Sequence, residues 1–266
     1  MSSYTRFRYE VDADGVALLT FTRPETLNSL TFEIYADLER LFLEARSDAR
    51  VKVIVLTGQG KGFCSGGNVE DIIGVLLQRD LADTLAFTRM TGAVVEHMRR
   101  LEKPILAAVN GIAAGAGSIL ALASDLRVVA QSATFAFLFT KVGLTGADMG
   151  AAYLLPRLIG MGRATELLLL GDKVDADRAL HYGLANKVVP DGELMTATME
   201  WARRLARGPG LALGLTKRLL VNEAHMDLSA AIEQEAQAQA LMLKGEDHRE
   251  FHRAWMEKRP PRFTGR

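Results

Sequence analysis

The stretch ILAAVNGIAAGAGSILALAS, residues 105–124, decides the fold class. ILAAVNG (105–111) is a continuous aliphatic run of the kind that forms a strand buried on both faces. GIAAGAG (111–117) is a turn of small residues, and SILALAS (118–124) reads as a short apolar helix. The same order stands one repeat earlier. VKVIVLTG (51–58) predicts a buried strand, GQGKGFCSGG (58–67) a glycine-rich loop, and the region around 80–101 a long helix that ends before Lys103-Pro104. Downstream, DLRVVA (125–130) and ATFAFLF (133–139) predict two more strands. Strand, glycine turn and helix in repetition imply an α/β architecture.

Working outward, Tyr9 to Val11 and Val16 to Thr22 predict a hairpin around Asp14-Gly15, a preferred turn pair between period-two apolar residues. Phe32, Tyr35, Leu38, Phe42 and Ala45 recur at helical spacing, with Thr31 or Ser29 as cap. From about 150 the pattern is helical: YLLPRLIG, ATELLLLG, DADRALHYG, ELMTATMEWARRLA, LALGLTKRLLVNEA and 228–244, punctuated by Gly208-Pro209. Helices so rich in Leu, Ala and Met need a partner surface, which points to a homo-oligomer. The expected division is an α/β core over 1–200 and a helical oligomerisation region over 201–266.

Composition narrows the function. The 266 residues are 48% hydrophobic and carry 32 Lys+Arg against 32 Asp+Glu, a formal charge of zero. That balance excludes a generally basic nucleic-acid binder and a charged disordered chain. The one cysteine, Cys64, allows no intrachain disulfide. The opening MSSYTRFRYE has no apolar signal region, so a cytoplasmic location is expected. The longest apolar region, Ile105 to Ala123, is interrupted by Asn110, Gly111, Gly115 and Gly117, and no membrane partner is expected.

The two glycine turns fit neither a dinucleotide fingerprint, nor a phosphate-binding P-loop, nor a G-x-S-x-G nucleophile elbow, since Ser65 sits in G-F-C-S-G. Two readings remain. They are tight turns that permit close packing, or they aim backbone N–H groups at one point, the second opening a helix whose N-terminus favours negative charge. Two such donors make an oxyanion hole.

The residues themselves favour the second reading by resemblance. GKGFCSGGNVEDI (60–72), NGIAAGAGSILALASDLRVVA (110–130), RPETLNSL (23–30) and GLTGADMGAAYLLPRLIG (143–160) resemble signatures of the crotonase, or enoyl-CoA hydratase/isomerase, superfamily. GDKVDADRALHYGLANKVVP (171–190) and the ending HREFHRAWMEKRPPRFTGR (248–266) are similar to it as well, so the resemblance runs from about 20 to 266. It implies a crotonase-like spiral of strand-strand-helix units with a C-terminal helical trimerisation region. The implied partner is an acyl-CoA thioester, the implied assembly a homotrimer or dimer of trimers, and no cofactor is expected beyond the coenzyme A of the substrate. Carried over by position, the N–H groups of Ser65 and Ala116 are the oxyanion donors. Thr26, Gly67, Asn68, Val69 and Gly117 line the substrate, with Asn68 standing where many members have Asp.

The acid–base residues choose the reaction. Where the resemblance places the two glutamates of the hydratases, this sequence has Ile119 and Phe139, and neither can move a proton. Asp148 in TGADMG falls where several isomerases of the family carry an acid, the epoxyphenylacetyl-CoA isomerase type among them. One carboxylate suffices for an isomerase. The competing reading makes Asp148 the cap of a helix opening at Met149. An acyl-CoA isomerase is therefore the leading expectation, an enoyl-CoA hydratase the alternative within the family, and a non-catalytic acyl-CoA-binding protein the alternative of another class.

Other polar residues carry weaker expectations. Glu70 and Asp71 suit a helix start. His97 and His181 lack companions at metal-ligand spacing, and no metal is expected. Cys64 reads as packing, Asp125 as a strand-start anchor, and Tyr153 as core by its helical spacing with Leu154 and Leu158, with a place in the acyl-pocket lining as the alternative. The phosphates of coenzyme A call for local cations, with Arg23, Lys217 and Arg218 as candidates.

Overall fold

The computed structural model describes residues 4–265; Met1–Ser3, at the start of the MSSYTRFRYE segment, and Arg266 lie outside the described residues. An antiparallel hairpin of β1 (Phe7–Val11) and β2 (Val16–Phe21) leads into α1 (Phe32–Ser47). The first repeat is β3 (Val53–Gly58), β4 (Gly62–Cys64), a π-helical turn (Val69–Gly74) and α2 (Leu81–Arg100). The second is β5 (Ile105–Val109), β6 (Ile112–Ala114) and α3 (Ala116–Ala123). The third is β7 (Leu126–Ala130), β8 (Thr134–Ala136), a 3₁₀ turn (Leu138–Val142), α4 (Ala151–Ile159) and α5 (Met161–Leu170). β9 (Lys173–Asp175), α6 (Ala176–Tyr182), β10 (Lys187–Val189), α7 (Leu194–Ala206), α8 (Gly210–Asn222), α9 (Leu228–Lys244) and α10 (Glu246–Met256) complete the chain.

Each repeat sends its first strand to one sheet and its second to another. The larger sheet has the order β1-β2-β3-β5-β7-β10, parallel from β2 onward, and the smaller has the order β4-β6-β8-β9. Helices cover the larger sheet, so β3 and β5 are buried along nearly their whole length, which is why their sequences are unbroken aliphatic runs. Between β3 and β4, and between β5 and β6, the chain turns through residues held by Asn110: its side-chain oxygen accepts the Gly58 N–H at 3.0 Å and its amide donates to the Gly60 carbonyl at 3.0 Å. The hairpin, α1 with its Thr31 cap, the strands and the C-terminal helices follow the sequence pattern.

Two local expectations change. ATFAFLF is not one strand, because β8 stops at Ala136. Its neighbours β6 and β9 offer only three residues each, so nothing remains for Phe137 onward to pair with, and Phe139 lies in the 3₁₀ turn. The helix near Asp148 opens at Ala151 with Gly150 as its cap residue, not at Met149, because Met149 (φ 47°) and Gly150 (φ 86°) are both left-handed.

A buried ion pair ties the C-terminal helices to the core. Lys217 of α8, 7% exposed, reaches the Asp125 carboxylate at 2.7 Å and donates to the carbonyls of Met98 and Lys103. Asp125 also accepts the Ile105 N–H at 2.7 Å, anchoring the start of β5. Burial lowers the Lys217 pKa and the Asp125 charge opposes that. Lys217→Ala leaves the carboxylate without this partner, and unfolding in urea is expected to show a loss of about 3 kcal/mol.

Candidate active site

The first glycine turn follows β4. Ser65 has both of its donors occupied: its N–H goes to the Leu27 carbonyl at 3.0 Å and its hydroxyl to the Thr26 carbonyl at 2.9 Å. The Gly66 carbonyl accepts the Leu30 N–H at 2.8 Å. Asn68 donates its N–H to the Leu30 carbonyl at 2.9 Å. Among the described residues no acceptor is found for the Gly67 N–H. Because the Gly66–Gly67 peptide is trans and its carbonyl faces Leu30, that N–H points away from Leu30.

The second turn meets the first at close range. Gly66 has φ +95°, and a Cβ built on it would lie 2.9 Å from the Ala114 oxygen and 3.3 Å from the Ala116 nitrogen. A Cβ on Gly117 would lie 1.9 Å from the Cys64 oxygen. Only glycine fits at either place, which explains the small residues of both loops. Ala116 is the first residue of α3, so its N–H has no acceptor within the helix. The two closely approaching turns thus leave Gly67 and Ala116 with N–H groups for which no backbone acceptor is found among the described residues, and the Ser65 N–H is already occupied. That exchange could not be read from the sequence, because the acceptor of the Ser65 N–H, Leu27, comes from a distant segment.

Asn68 caps the π-helical turn: its side-chain oxygen accepts the N–H groups of Glu70 and Asp71, each at 2.9 Å, and its amide donates to the Ser29 hydroxyl at 3.2 Å. An aspartate could make the first two bonds but could not donate the third. The exposed Val69 lies beside it. Glu70 and Asp71 occupy the first turn of the helix, as expected from the dipole.

Asp148 is half-buried in the segment between the 3₁₀ turn and α4. Burial pushes its carboxyl pKa up, and a hydrogen bond from the Met149 N–H partly opposes this. Its carbonyl accepts the Ala151 N–H at 2.8 Å, but its side chain caps no helix. The left-handed Met149, a non-glycine residue with positive φ, holds the carboxylate's neighbour in a strained conformation of the kind that persists at functional sites. Ile119 is fully buried in α3 and Phe139 is 8% exposed in the 3₁₀ turn. Burial drives the Cys64 thiol up to about 12, so it stays protonated and serves packing.

Of the three cation candidates one, Arg23, lies near the first turn. It lines a cavity of about 780 Å³ together with Arg6, Arg79, Thr31, Glu33, Glu70 and Asp71, and it pairs with Asp71 at 3.5 Å and Glu25 at 3.9 Å. Lys217 is spent on Asp125. Arg218 pairs with Glu102 at 2.9 Å and lines a different cavity. Arg6 and Arg79 carry no sequence signal; Arg79 is brought in by stacking on the Phe32 ring, 4.4 Å from its centroid. His97 is partly buried in α2 and His181 exposed in α6. Among the described residues no three His, Cys, Asp or Glu side chains cluster as a metal site. Tyr153 is half-buried, its hydroxyl 2.8 Å from His225 Nε2, and is not a core residue.

The enoyl-CoA hydratase/isomerase family model matches residues 12–266. The chain is 36% identical over 259 residues to the 1,2-epoxyphenylacetyl-CoA isomerase of Escherichia coli K12, covering 95% of this chain and 96% of that protein. It is 31% identical over 245 residues to a short-chain-enoyl-CoA hydratase of Clostridium acetobutylicum, covering 92% of each. A solved structure from Streptomyces coelicolor A3(2) superposes with a TM-score of 0.98 at 52% identity, covering all of this chain and 96% of that one.

Proposed function

The chain belongs to the enoyl-CoA hydratase/isomerase family, and from that premise we propose that it is an isomerase, shifting a double bond along the acyl group of a CoA thioester with Asp148 as the proton carrier. The observation that carries this is a single carboxylate of raised pKa at a site where Ile119 and Phe139 replace the expected pair of acids. With a 3-enoyl thioester, the Asp148 carboxylate takes a proton from C2. The electrons pass into a dienolate whose negative charge collects on the thioester oxygen. The N–H groups of Gly67 and Ala116 hold that oxygen, Gly67 taking the part expected of Ser65. The carboxylic acid then returns the proton to C4, giving the conjugated 2-enoyl thioester and regenerating the carboxylate.

The phosphates of the thioester lie against Arg6, Arg23 and Arg79, and its pantetheine passes Thr26, Asn68 and Val69 toward Gly117. Local cations reconcile a polyanionic ligand with a neutral chain. A hydratase reading is supported by the similarity to relatives named as hydratases, the Clostridium enzyme among them; Asp148 would then activate water. The helical region from 201 onward is read as the assembly surface of a trimer or dimer of trimers. α9 has no buried residue, and Leu220, Leu228, Trp255 and Met256 are exposed large apolar side chains.

Because Asp148 must be ionised to accept a proton, and burial raises its pKa, kcat/KM is expected to rise with pH along a limb that lies above the ordinary aspartate value of about 3.9. Initial rates across pH check this. A limb at or below the ordinary value, for an enzyme stable throughout the range, would count against Asp148 as the base.

A further inference from the structure

The cavity that Arg218 lines has a volume of about 940 Å³ and lies between α2, the C-terminal end of α3, α4 and the end of α8. It shares no lining residue with the cavity of Arg6, Arg23 and Arg79. Its charges do not balance. Each carboxylate on its wall is already engaged: Glu96 with Arg100 at 2.9 Å, Glu102 with Arg218 at 2.9 Å, and Asp125 with both Lys217 at 2.7 Å and Arg99 at 3.3 Å. Arg46 and Arg157 line the same cavity, and among the described residues neither pairs with an acid. Arg127, 3% exposed, also lines it and spends its donors on the Leu184 and Ser124 carbonyls, which carry no countercharge. Burial pulls the Arg127 pKa down to about 10; the Asp125 charge opposes this and the Arg99 charge adds to it. A cluster of cations with its acids used up is costly to hold near the interior, and a bound anion supplies the missing charge.

The donors on the wall narrow the anion's class. Arg99 uses only Nη1, for Asp125 and the Ala123 carbonyl, so its Nε and Nη2 remain as donors. Arg157 gives Nη1 to the Tyr153 carbonyl and lies 3.5 Å from the centroid of the Tyr153 ring, which stacks in turn with His225 at 5.3 Å. Guanidinium forks suit phosphoryl oxygens, and the volume suits a small molecule better than a single ion. We propose that this cavity is a second anion site, which takes the diphosphate group of a small molecule between Arg99 and Arg157. Met149 and Gly150 line it as well, so the ligand rests against the segment that carries Asp148.

Calorimetric titration with sodium pyrophosphate and with ADP, at fixed ionic strength, tests this without requiring turnover. The full chain is compared as wild type, Arg157→Gln, Arg99→Gln and Arg79→Gln, the last altering the other cavity. Pyrophosphate is expected to bind the wild type with a component that Arg79→Gln leaves in place. Arg157→Gln and Arg99→Gln are each expected to weaken that component about tenfold or more, the effect of losing a charge-assisted hydrogen bond. Arg157 is exposed and pairs with no acid, so its replacement spares the fold and decides the matter even where Arg99→Gln, which disturbs Asp125, does not fold. ADP bound more tightly than pyrophosphate supports the site with a nucleotide as its ligand, stacked on the Tyr153 wall; equal affinities support it with free diphosphate. No binding to the wild type at millimolar concentration, binding lost entirely in Arg79→Gln, or binding unchanged in Arg157→Gln overturns the proposal, and none of these outcomes bears on the thioester site.

Discussion

Asp148→Asn is expected to lower kcat for double-bond migration roughly a thousandfold while changing KM little, since proton transfer by a positioned side chain contributes about 10²–10⁴. The asparagine keeps the size and the acceptor for the Met149 N–H but cannot take a proton. The same burial that raises the carboxyl pKa has a second consequence. A group whose folded pKa is raised favours folding at low pH and loses that contribution as pH rises through the folded value. Asp148→Asn is therefore expected to be slightly more heat-stable than the wild type at pH 7, with the difference disappearing near pH 3. A variant that lost both activity and stability at neutral pH would mean that the aspartate holds the segment before α4 together instead of moving a proton.

Ala116→Pro is expected to cost about 10²–10³ in kcat, the usual effect of removing one oxyanion donor. Proline is well tolerated at the first position of a helix, where the N–H has no helical acceptor, and Ala116 opens α3. The substitution thus deletes the donor and spares the helix, so the melting temperature is expected to stay within a few degrees. The contrast is Ser65→Pro, which removes an N–H already bonded to Leu27 and is expected to reduce stability. Thermal melts and initial rates on the two variants separate the donors: were Ala116→Pro as active as the wild type, the paired N–H groups would not be an oxyanion hole.

The repeat was legible in the sequence because helices on a parallel sheet impose long aliphatic strands, and close turns impose glycine and alanine. VKVIVLTG, ILAAVNG and GIAAGAG needed no tertiary knowledge. What stayed hidden depended on partners far along the chain. Which N–H of CSGG is free follows from Leu27 and Leu30, which reach the loop only after folding. Lys217 was a candidate cation for the phosphates of coenzyme A, and the structure instead encloses it with Asp125 and two carbonyls. α10 escaped the pattern because its buried residues include the acids Asp247 and Glu250. These are compensated by the tail: Asp247 accepts the Thr264 and Gly265 N–H groups, and Glu250 accepts that of Arg262 and pairs with Arg259. Hydrophobic periodicity carries no trace of such pairing.

The most direct measurement follows deuterium placed at C2 of a 3-enoyl-CoA through one turnover by the wild-type protein, with the product analysed by mass spectrometry and NMR. One carboxylate that takes and returns the proton, shielded by Ile119 and Phe139, is expected to deliver part of the label to C4 of a 2-enoyl thioester. A 3-hydroxyacyl product carrying solvent oxygen, with no label at C4, would contradict the assignment of Asp148 as the proton carrier of an isomerase.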